Sequence, residues 1–483
     1  MKIKFYQLLG ILLLSFFAYT SAITLFCMNN AKENSFKDIF YKRLYQSALD
    51  RFSGGLKIKT ISNSDYEKTD FEAFEDFNSY LQQAYPLIFK NTEFIRINKY
   101  ALVFKIHGEN KELKPNILTA HYDVVDGGKE ENWTHPPFSG FYNNDYIWSR
   151  GTLDDKGSLF AILEATNELL AEGFVPKADL YLAFSHTEET GSPEGAKKII
   201  EYFKQNNIHF STVLDEGGSV VNKNGNYYAL VGTSEKGRLL TKITVKGTGK
   251  HASMPEKNLA TTKLAKLILA FDKNKYKTEM SDDIYEYYLK TFDSYNLKTK
   301  YLLANKNILN TELLNELSKN PEDNARINTT FATSIINASN TANVISGEAS
   351  MTIDSRILPI HKIEDIKKHI EKVVKRTLPN EDVKIEYLSE LPPSKASKTD
   401  TEDYKLLKKN INSIFPNIAI APYMVLGATD AREYAEISDN AYRFLPVVLT
   451  EGEAALMHAD NERISVVNWT RMVFFYKEFI KSR

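Results

Sequence analysis

The sequence predicts an α/β protein. Its main body is a mostly parallel sheet covered by helices on both faces. A smaller α+β domain of ferredoxin-like order is inserted into it, and an N-terminal hydrophobic helix precedes it. Three observations carry this. Short apolar runs such as Asn116-Ile-Leu-Thr-Ala120 and Leu180-Tyr-Leu-Ala-Phe184 alternate with amphipathic stretches, the pattern of parallel strands joined by crossover helices. Several of these runs stop abruptly on charge, and in α/β sheets the carboxyl ends of the strands are where ligands bind. At about Gly237 the character changes to an alternating strand, Arg238 to Val245, and the linker back is Leu391-Pro-Pro-Ser-Lys-Ala-Ser397.

The totals narrow the field. A chain of 483 residues is too long for one core, and 43% hydrophobic with 25% charged residues is ordinary globular composition for two or more domains. Lys+Arg 61 against Asp+Glu 62 gives a formal net charge of -1, so no global basic field exists to hold nucleic acid. The single cysteine, Cys27, excludes an intramolecular disulfide, and any metal ligation must use His, Asp and Glu.

Phe5 to Met28 carries no charge and follows Lys2 and Lys4, the pattern of a signal anchor or a signal peptide. The run is long for a cleaved peptide and Ser21-Ala22 is a weak cleavage site, which favours an uncleaved membrane anchor. Either way the rest of the chain is expected outside the cytoplasm, anchored or secreted. From Asn29 to about Lys57 the pattern is helical, with Phe36, Ile39, Phe40 and Leu44 on one face. A helix at Glu72 to Ala84 and strands at Glu93 to Ile97 and Ala101 to Ile106 follow.

The strand from Asn116 ends in His121-Tyr-Asp123. Residues two apart on a strand point the same way, so the Asp123 carboxylate is placed to hold the free N–H of the His121 ring. Ile147 to Gly157 runs into a helix from Ser158 to Glu172, with Asp154 and Asp155 at its start. One acid there is ordinary capping; two are more than capping needs. Ala178 to Gly191 is an apolar strand that stops on Glu188 and Glu189, either a solvated acidic turn or a site in which a divalent metal relieves two adjacent carboxylates. A helix over Glu194 to Asn207 and a short buried strand ending in Asp215 complete this part.

The inserted segment reads strand, helix, strand, strand, helix, strand, the split βαβ order. A Lys-, Asn- and Leu-rich helical stretch at about 276–324 interrupts it without any candidate ligand cluster. The closing part offers a helix at Glu402 to Ile414, a strand at Phe444 to Leu449 and a helix at Ser465 to Lys481, which need the first sheet to join. Insertion of one domain into another is tolerated where the ends lie close.

His121, Asp154, Glu189, Asp215 and His458 thus form one set of two histidines and three acids at strand ends or adjoining loops. Such N/O donors without cysteine suit Zn²⁺, and a shared carboxylate lets two ions sit close together. With His121-Tyr-Asp123, Arg150-Gly-Thr-Leu-Asp-Asp-Lys-Gly157, Thr187-Glu-Glu-Thr-Gly191, Asp215-Glu-Gly217, Gly249-Lys-His-Ala-Ser253 and His458 in this order, the chain resembles the co-catalytic di-zinc metallopeptidases. That family includes glutamate carboxypeptidase, aminoacylase and acetylornithine deacetylase. Within it the chain looks most like carboxypeptidase S and the secreted N-acyl-amino-acid hydrolases.

The resemblance implies two Zn²⁺ per subunit. His121 and Asp215 would hold one, Glu189 and His458 the other, with Asp154 bridging and the Asp154–Asp155 bond often cis. It makes Glu188 the general base, Asp123 the residue that orients His121, and His251 the oxyanion donor, often reaching a partner subunit's site and so implying a homodimer through the inserted lid domain. Asn343 and Arg356 match substrate-holding positions, although Ser346 stands where the family usually has proline. Gly427-Ala-Thr-Asp-Ala-Arg432 resembles the loop for the substrate carboxylate, with Arg432 either a bidentate fork for that group or a partner of Asp430 or Glu433.

The expected organisation is therefore a signal segment (1–30), the first part of a catalytic zinc domain (31–236), the inserted lid (237–392) and the second catalytic part (393–483). The expected activity is amide hydrolysis in small substrates bearing a free carboxylate: dipeptides, the C-terminal residues of peptides, or N-acyl amino acids. The rivals are a catalytically silent, membrane-tethered binding protein on the same scaffold and an added interaction role for the helical insert.

Overall fold

Strand parity explains how one sheet serves two cores. In the computed structural model, which describes residues 2–30 and 46–483, the strands Asn116–His121 and Leu180–Ser185 are buried at every position. Leu118, Ala120, Leu180, Leu182 and Phe184 join the larger core. Their neighbours Ile117, Tyr181 and Ala183 face the opposite way into a smaller core with Ile199, Phe203 and Phe210. A side-chain period of two requires this split, and apolar residues on both parities require cover on both faces.

Helices Gln46–Leu56, Phe71–Ala84, Lys156–Ala171, Glu402–Ile414 and Val466–Lys481 supply the larger core, where Phe52 stacks on Trp469 at 4.8 Å. Helix Ala196–Gln205 covers the other face with Ala196, Ile199, Ile200 and Phe203.

The sheet is mixed. Its central strands run parallel in the order Leu180–Ser185, Asn116–His121, Phe210–Asp215, Ser438–Arg443. Ala101–Ile106 and Glu93–Ile97 extend one side antiparallel; Asn226–Glu235, Val220–Lys223 and Val448–Leu449 extend the other. The strand expected at Phe444 to Leu449 lies instead mainly at Ser438–Arg443. Pro446 has no N–H to give to a ladder, and the polar Ser438, Asp439 and Asn440 conceal the strand from a hydropathy reading.

Cα proximity separates two units. Of the described residues, one holds 46–233, 397–423 and 429–483, including most of the large sheet; the other holds 2–30, 234–396 and 424–428. In the second unit, strands Thr330–Asn337, Glu348–Ile357, Gly237–Lys246 and Val383–Leu391 lie in that order, antiparallel throughout. Helices Ala260–Lys273 and Ile363–Thr377 pack on them through Leu264, Leu267, Ile366 and Ile370. The stretch expected at 276–324 forms helices Asp282–Lys290, Leu297–Ala304, Lys306–Leu317 and Pro321–Ile327.

The N-terminal segment is helical over Lys2–Asn30 and packs on helix Leu297–Ala304. The Tyr301 hydroxyl donates to Thr20 Oγ1 at 2.7 Å, and the Asn305 amide donates to the Thr20 carbonyl at 3.1 Å. The sequence suggests a membrane-spanning anchor here. Among the described residues, however, no helix is long and apolar enough to cross a membrane, and Thr20 and Thr24 place polar groups on the packed side. The apolar face proposed through Phe36, Ile39, Phe40 and Leu44 lies outside the described residues.

Candidate active site

Three adjacent parallel strands deliver the site. His121 ends Asn116–His121, Glu188 and Glu189 follow Leu180–Ser185, and Glu216 follows Phe210–Asp215, so strand spacing alone brings them together at one sheet edge. The other two members come from loops. Asp154 lies just before helix Lys156–Ala171, and His458 lies in the turn before strand Arg463–Ser465. That strand pairs antiparallel with Tyr146–Trp148, which leads to Asp154, so a small separate sheet brings two loops distant in sequence side by side.

Asp154 sits between the two histidines. One of its oxygens is 2.8 Å from His121 Nε2 and the other 2.9 Å from His458 Nε2. Glu216 approaches His121 Nε2 to 3.5 Å, Glu189 approaches His458 Nε2 to 3.1 Å, and Glu188 stands 4.0 Å from His121 Nε2. Two donor groups result, His121 with Asp154 and Glu216, and Asp154 with Glu189 and His458, each with its atoms within 4.8 Å of one another. The Asp154–Asp155 peptide bond is cis.

The ring of His121 is oriented from behind. Its Nδ1 lies 2.9 Å from the Asp123 carbonyl and 3.3 Å from the Asp123 carboxylate. A carbonyl only accepts, so Nδ1 carries a proton, and Nε2 donates a second one to Asp154 in the metal-free fold, the position at which a bound cation would replace that proton. The Asp123 carboxylate also receives the backbone N–H groups of Glu188 and Glu189, both at 3.1 Å. One buried acid therefore fixes both the imidazole and the turn that bears the paired glutamates.

The electrostatics favour a cation. Burial, with Asp430, Glu216 and Asp154 nearby, raises Glu188 well above the ordinary carboxylate range against the lowering effect of His121. Burial and Asp154 push Glu216 up to about 8. His458 is raised to about 10 by its bonds to Asp154 and Glu189. Asp154 is held below its usual value because the bonds from both histidines outweigh burial. Protons on Glu216 and His458 thus do part of the neutralising that a divalent ion would do, and the buried Glu189 Oε1 has no hydrogen-bond partner. The donor set, with a shared carboxylate, two imidazoles and two further acids, fits a pair of borderline divalent cations.

Asp215, expected as a ligand, is not in either group. It shares its side of the strand with Val213, and its Oδ2 accepts the N–H of Ala431 at 2.6 Å. Glu216, one residue on, turns to the cluster instead. The Asp-Glu pair is visible in the sequence, but where the strand ends, and hence which acid turns inward, is not.

Arg432 is half-buried on the short helix Ala431–Tyr434. His251, Asn343 and Arg356 belong to the other unit. There His251 is exposed on a two-residue strand paired with Val344–Ile345, with Nδ1 2.8 Å from Ser253 Oγ. Asn343 is exposed and its carbonyl accepts from the Ala252 N–H at 2.9 Å. Arg356 Nε donates to Asp354 at 2.9 Å.

The buried pair Arg150–Glu462 was not singled out by the sequence. Glu462 accepts from Arg150 Nη1 at 2.7 Å and from the Leu153 N–H at 2.8 Å, and the same Nη1 reaches the Ala459 carbonyl at 3.1 Å. The pair ties the Asp154 loop to the His458 loop.

One histidine at the end of a parallel strand, a second from a loop, a carboxylate shared between them and an adjacent glutamate outside both donor groups make up the site of a metal-dependent hydrolase. The model of the peptidase family M20/M25/M40 matches residues 117–482, and the chain belongs to that family. It is 34% identical over 446 residues to the probable carboxypeptidase S-like 2 of Dictyostelium discoideum, covering 89% of this chain and 84% of that one. It is 30% identical over 451 residues to the N-fatty-acyl-amino acid synthase/hydrolase PM20D1.1 of Danio rerio, covering 90% and 86%. Among solved structures, the M20 family metallo-carboxypeptidase Sso-CP2 of Sulfolobus solfataricus shares the fold with a TM-score of 0.66 at 19% identity, covering 91% of this chain and 99% of that one.

Proposed function

We propose that the protein hydrolyses the amide bond of small substrates with a free carboxylate, either C-terminal residues of peptides and dipeptides or N-acyl amino acids. The observation that carries this is the placement of Asp154 between His121 and His458 with Glu188 beside them and outside both donor groups. His121, Glu216 and Asp154 would hold one divalent cation, and Asp154, Glu189 and His458 a second. Zn²⁺ is the ion these donors suit best. When bound, the pair supplies Lewis acidity and brings the pKa of water toward neutrality.

Glu188 is the general base in this reading. Its raised proton affinity matches a group that accepts a proton from water and returns it to the leaving amine. Asp123 positions His121 and the Glu188-Glu189 turn together. The parts given to His251 in oxyanion stabilisation, to Asn343 and Arg356 in substrate holding, and to Arg432 as a carboxylate fork rest on their motifs. So does a homodimer joined through the inserted domain. The uncharged run Phe5 to Met28 after two lysines supports export of the chain.

The names of the relatives divide between carboxypeptidase and N-fatty-acyl-amino acid synthase/hydrolase, and both fit one metal set with different acyl-side pockets. The test is release of free amino acid from a panel of dipeptides and N-acyl amino acids, with and without chelator, for wild type and Glu188→Gln. Chelator-insensitive release, or equal rates for the variant, would refute the mechanism.

A further inference from the structure

Glu188 and Glu189 sit on a segment closed by its own turn bonds, from the Gly191 N–H to the Glu188 carbonyl at 2.8 Å and from the Ser192 N–H to the Thr187 carbonyl at 2.7 Å, so what seats that turn in the fold must come from outside it. It is a single 3₁₀ turn, Glu188–Thr190, followed by Gly191 with φ +90° and Ser192 with φ +63°. A non-glycine residue keeps a left-handed conformation only where its surroundings fix it. The group that seats it is Asp430. Asp430 is buried, 4% exposed, and its two carboxylate oxygens accept one hydroxyl each: Oδ2 from Ser185, where the strand ends, and Oδ1 from Ser192, where the turn ends. The N–H of the next residue, Ala431, donates to Asp215, the neighbour of Glu216.

We propose that Asp430 is a positioning residue for the reaction: seated through Ala431 on Asp215, its carboxylate clamps both ends of the Ser185–Ser192 segment and thereby fixes Glu188 and Glu189 relative to Glu216. The inference rests on Glu188 acting as the base. It gives the Gly427–Arg432 loop a task beyond the substrate carboxylate. It also explains why an acid stands at 215 although it joins neither donor group. Asp123 holds the backbone amides of the paired glutamates, while Asp430 holds the two ends, so the segment is fixed at its middle and at its termini.

The experiment compares the full chain with Ser185→Ala/Ser192→Ala and with Asp430→Asn. Three quantities are read: zinc content, kcat and KM on an N-acyl amino acid that the wild type turns over, and amide hydrogen exchange of residues 186–192 with and without zinc. In the double serine variant, exchange in 186–192 is expected to rise at least tenfold while the rest of the chain keeps its protection. Its kcat is expected to fall at least tenfold with KM within twofold, at unchanged zinc content. Unchanged exchange in 186–192, a kcat within twofold of wild type, or a raised KM at wild-type kcat would each overturn the proposal. The serine variant keeps the acid in place, so it decides the matter if Asp430→Asn does not fold. If the wild type turns over none of the substrates, the hydrolase reading fails, and the exchange measurement still decides the clamp.

Discussion

Glu188 is close enough to the cluster to feel the charges of His121, Glu216 and Asp154, yet it belongs to neither donor group. Its replacement by Gln keeps the size and removes the proton acceptor. The expected outcome is a loss of kcat by roughly 100- to 10,000-fold with metal content unchanged, read from steady-state kinetics and elemental analysis side by side. A second pair separates neighbours. Glu216→Ala is expected to release one of two bound ions, whereas Asp215→Asn retains both and acts through the Ala431 amide it no longer anchors as an anion. Isothermal titration with Zn²⁺ distinguishes them. His121, Glu188 and Glu189 could be picked out from the sequence because they close apolar strands, and Asp154 and His458 because their motifs resemble those of the family. Asp215 against Glu216 could not, because a strand's last residue shifts by one with local twist and each shift reverses the side.

At the scale of the element, the site depends on two loops that no strand spacing brings together. Arg150 and Glu462 join them, both almost wholly buried. Removing one partner leaves an uncompensated charge in the interior. Arg150→Met is therefore expected to cost roughly 3–5 kcal/mol in urea unfolding, with Arg150→Met/Glu462→Leu recovering part of it. The helices were legible because their burial is periodic, and the inner strands because they are short, continuous apolar runs. The strand Ser438–Arg443 was not, since its buried Ser438, Asn440 and Arg443 look polar in sequence and acquire partners only in the fold. The four antiparallel strands of the second unit could be foreseen as split βαβ pieces from their alternation.

For the whole molecule, the protons that replace cations set a pH dependence. Glu216, raised to about 8, keeps its proton in the metal-free fold over a range in which the unfolded chain has already lost it, so stability declines as pH rises from the ordinary carboxylate value toward 8. His458, raised to about 10 from 6.5, contributes stability that is fully present below 6.5 and is lost as pH rises through about 10. Both act in the same direction. Thermal melts of the chelated protein are expected to fall from pH 5 to about pH 7, above which Lys156 and Lys236, each lowered to about 7 by burial, oppose the loss because the unfolded chain binds more protons there. Metal flattens this profile because it holds the ligands deprotonated, and it adds about 2.7 kcal/mol per site at a hundredfold excess over Kd. Zn²⁺ uptake at neutral pH is expected to release protons, measured calorimetrically in buffers of different ionisation heat.

The pairing of Arg463–Ser465 with Tyr146–Trp148 has a temporal side. A ribosome has made almost the entire chain before His458 and Glu462 exist, so Asp154 has only one of its two histidines, and Arg150 lacks its carboxylate, through nearly all of synthesis. Hydrolytic competence then arrives late and all at once, and a chain that stops short of His458 carries half a centre and no means of completing it.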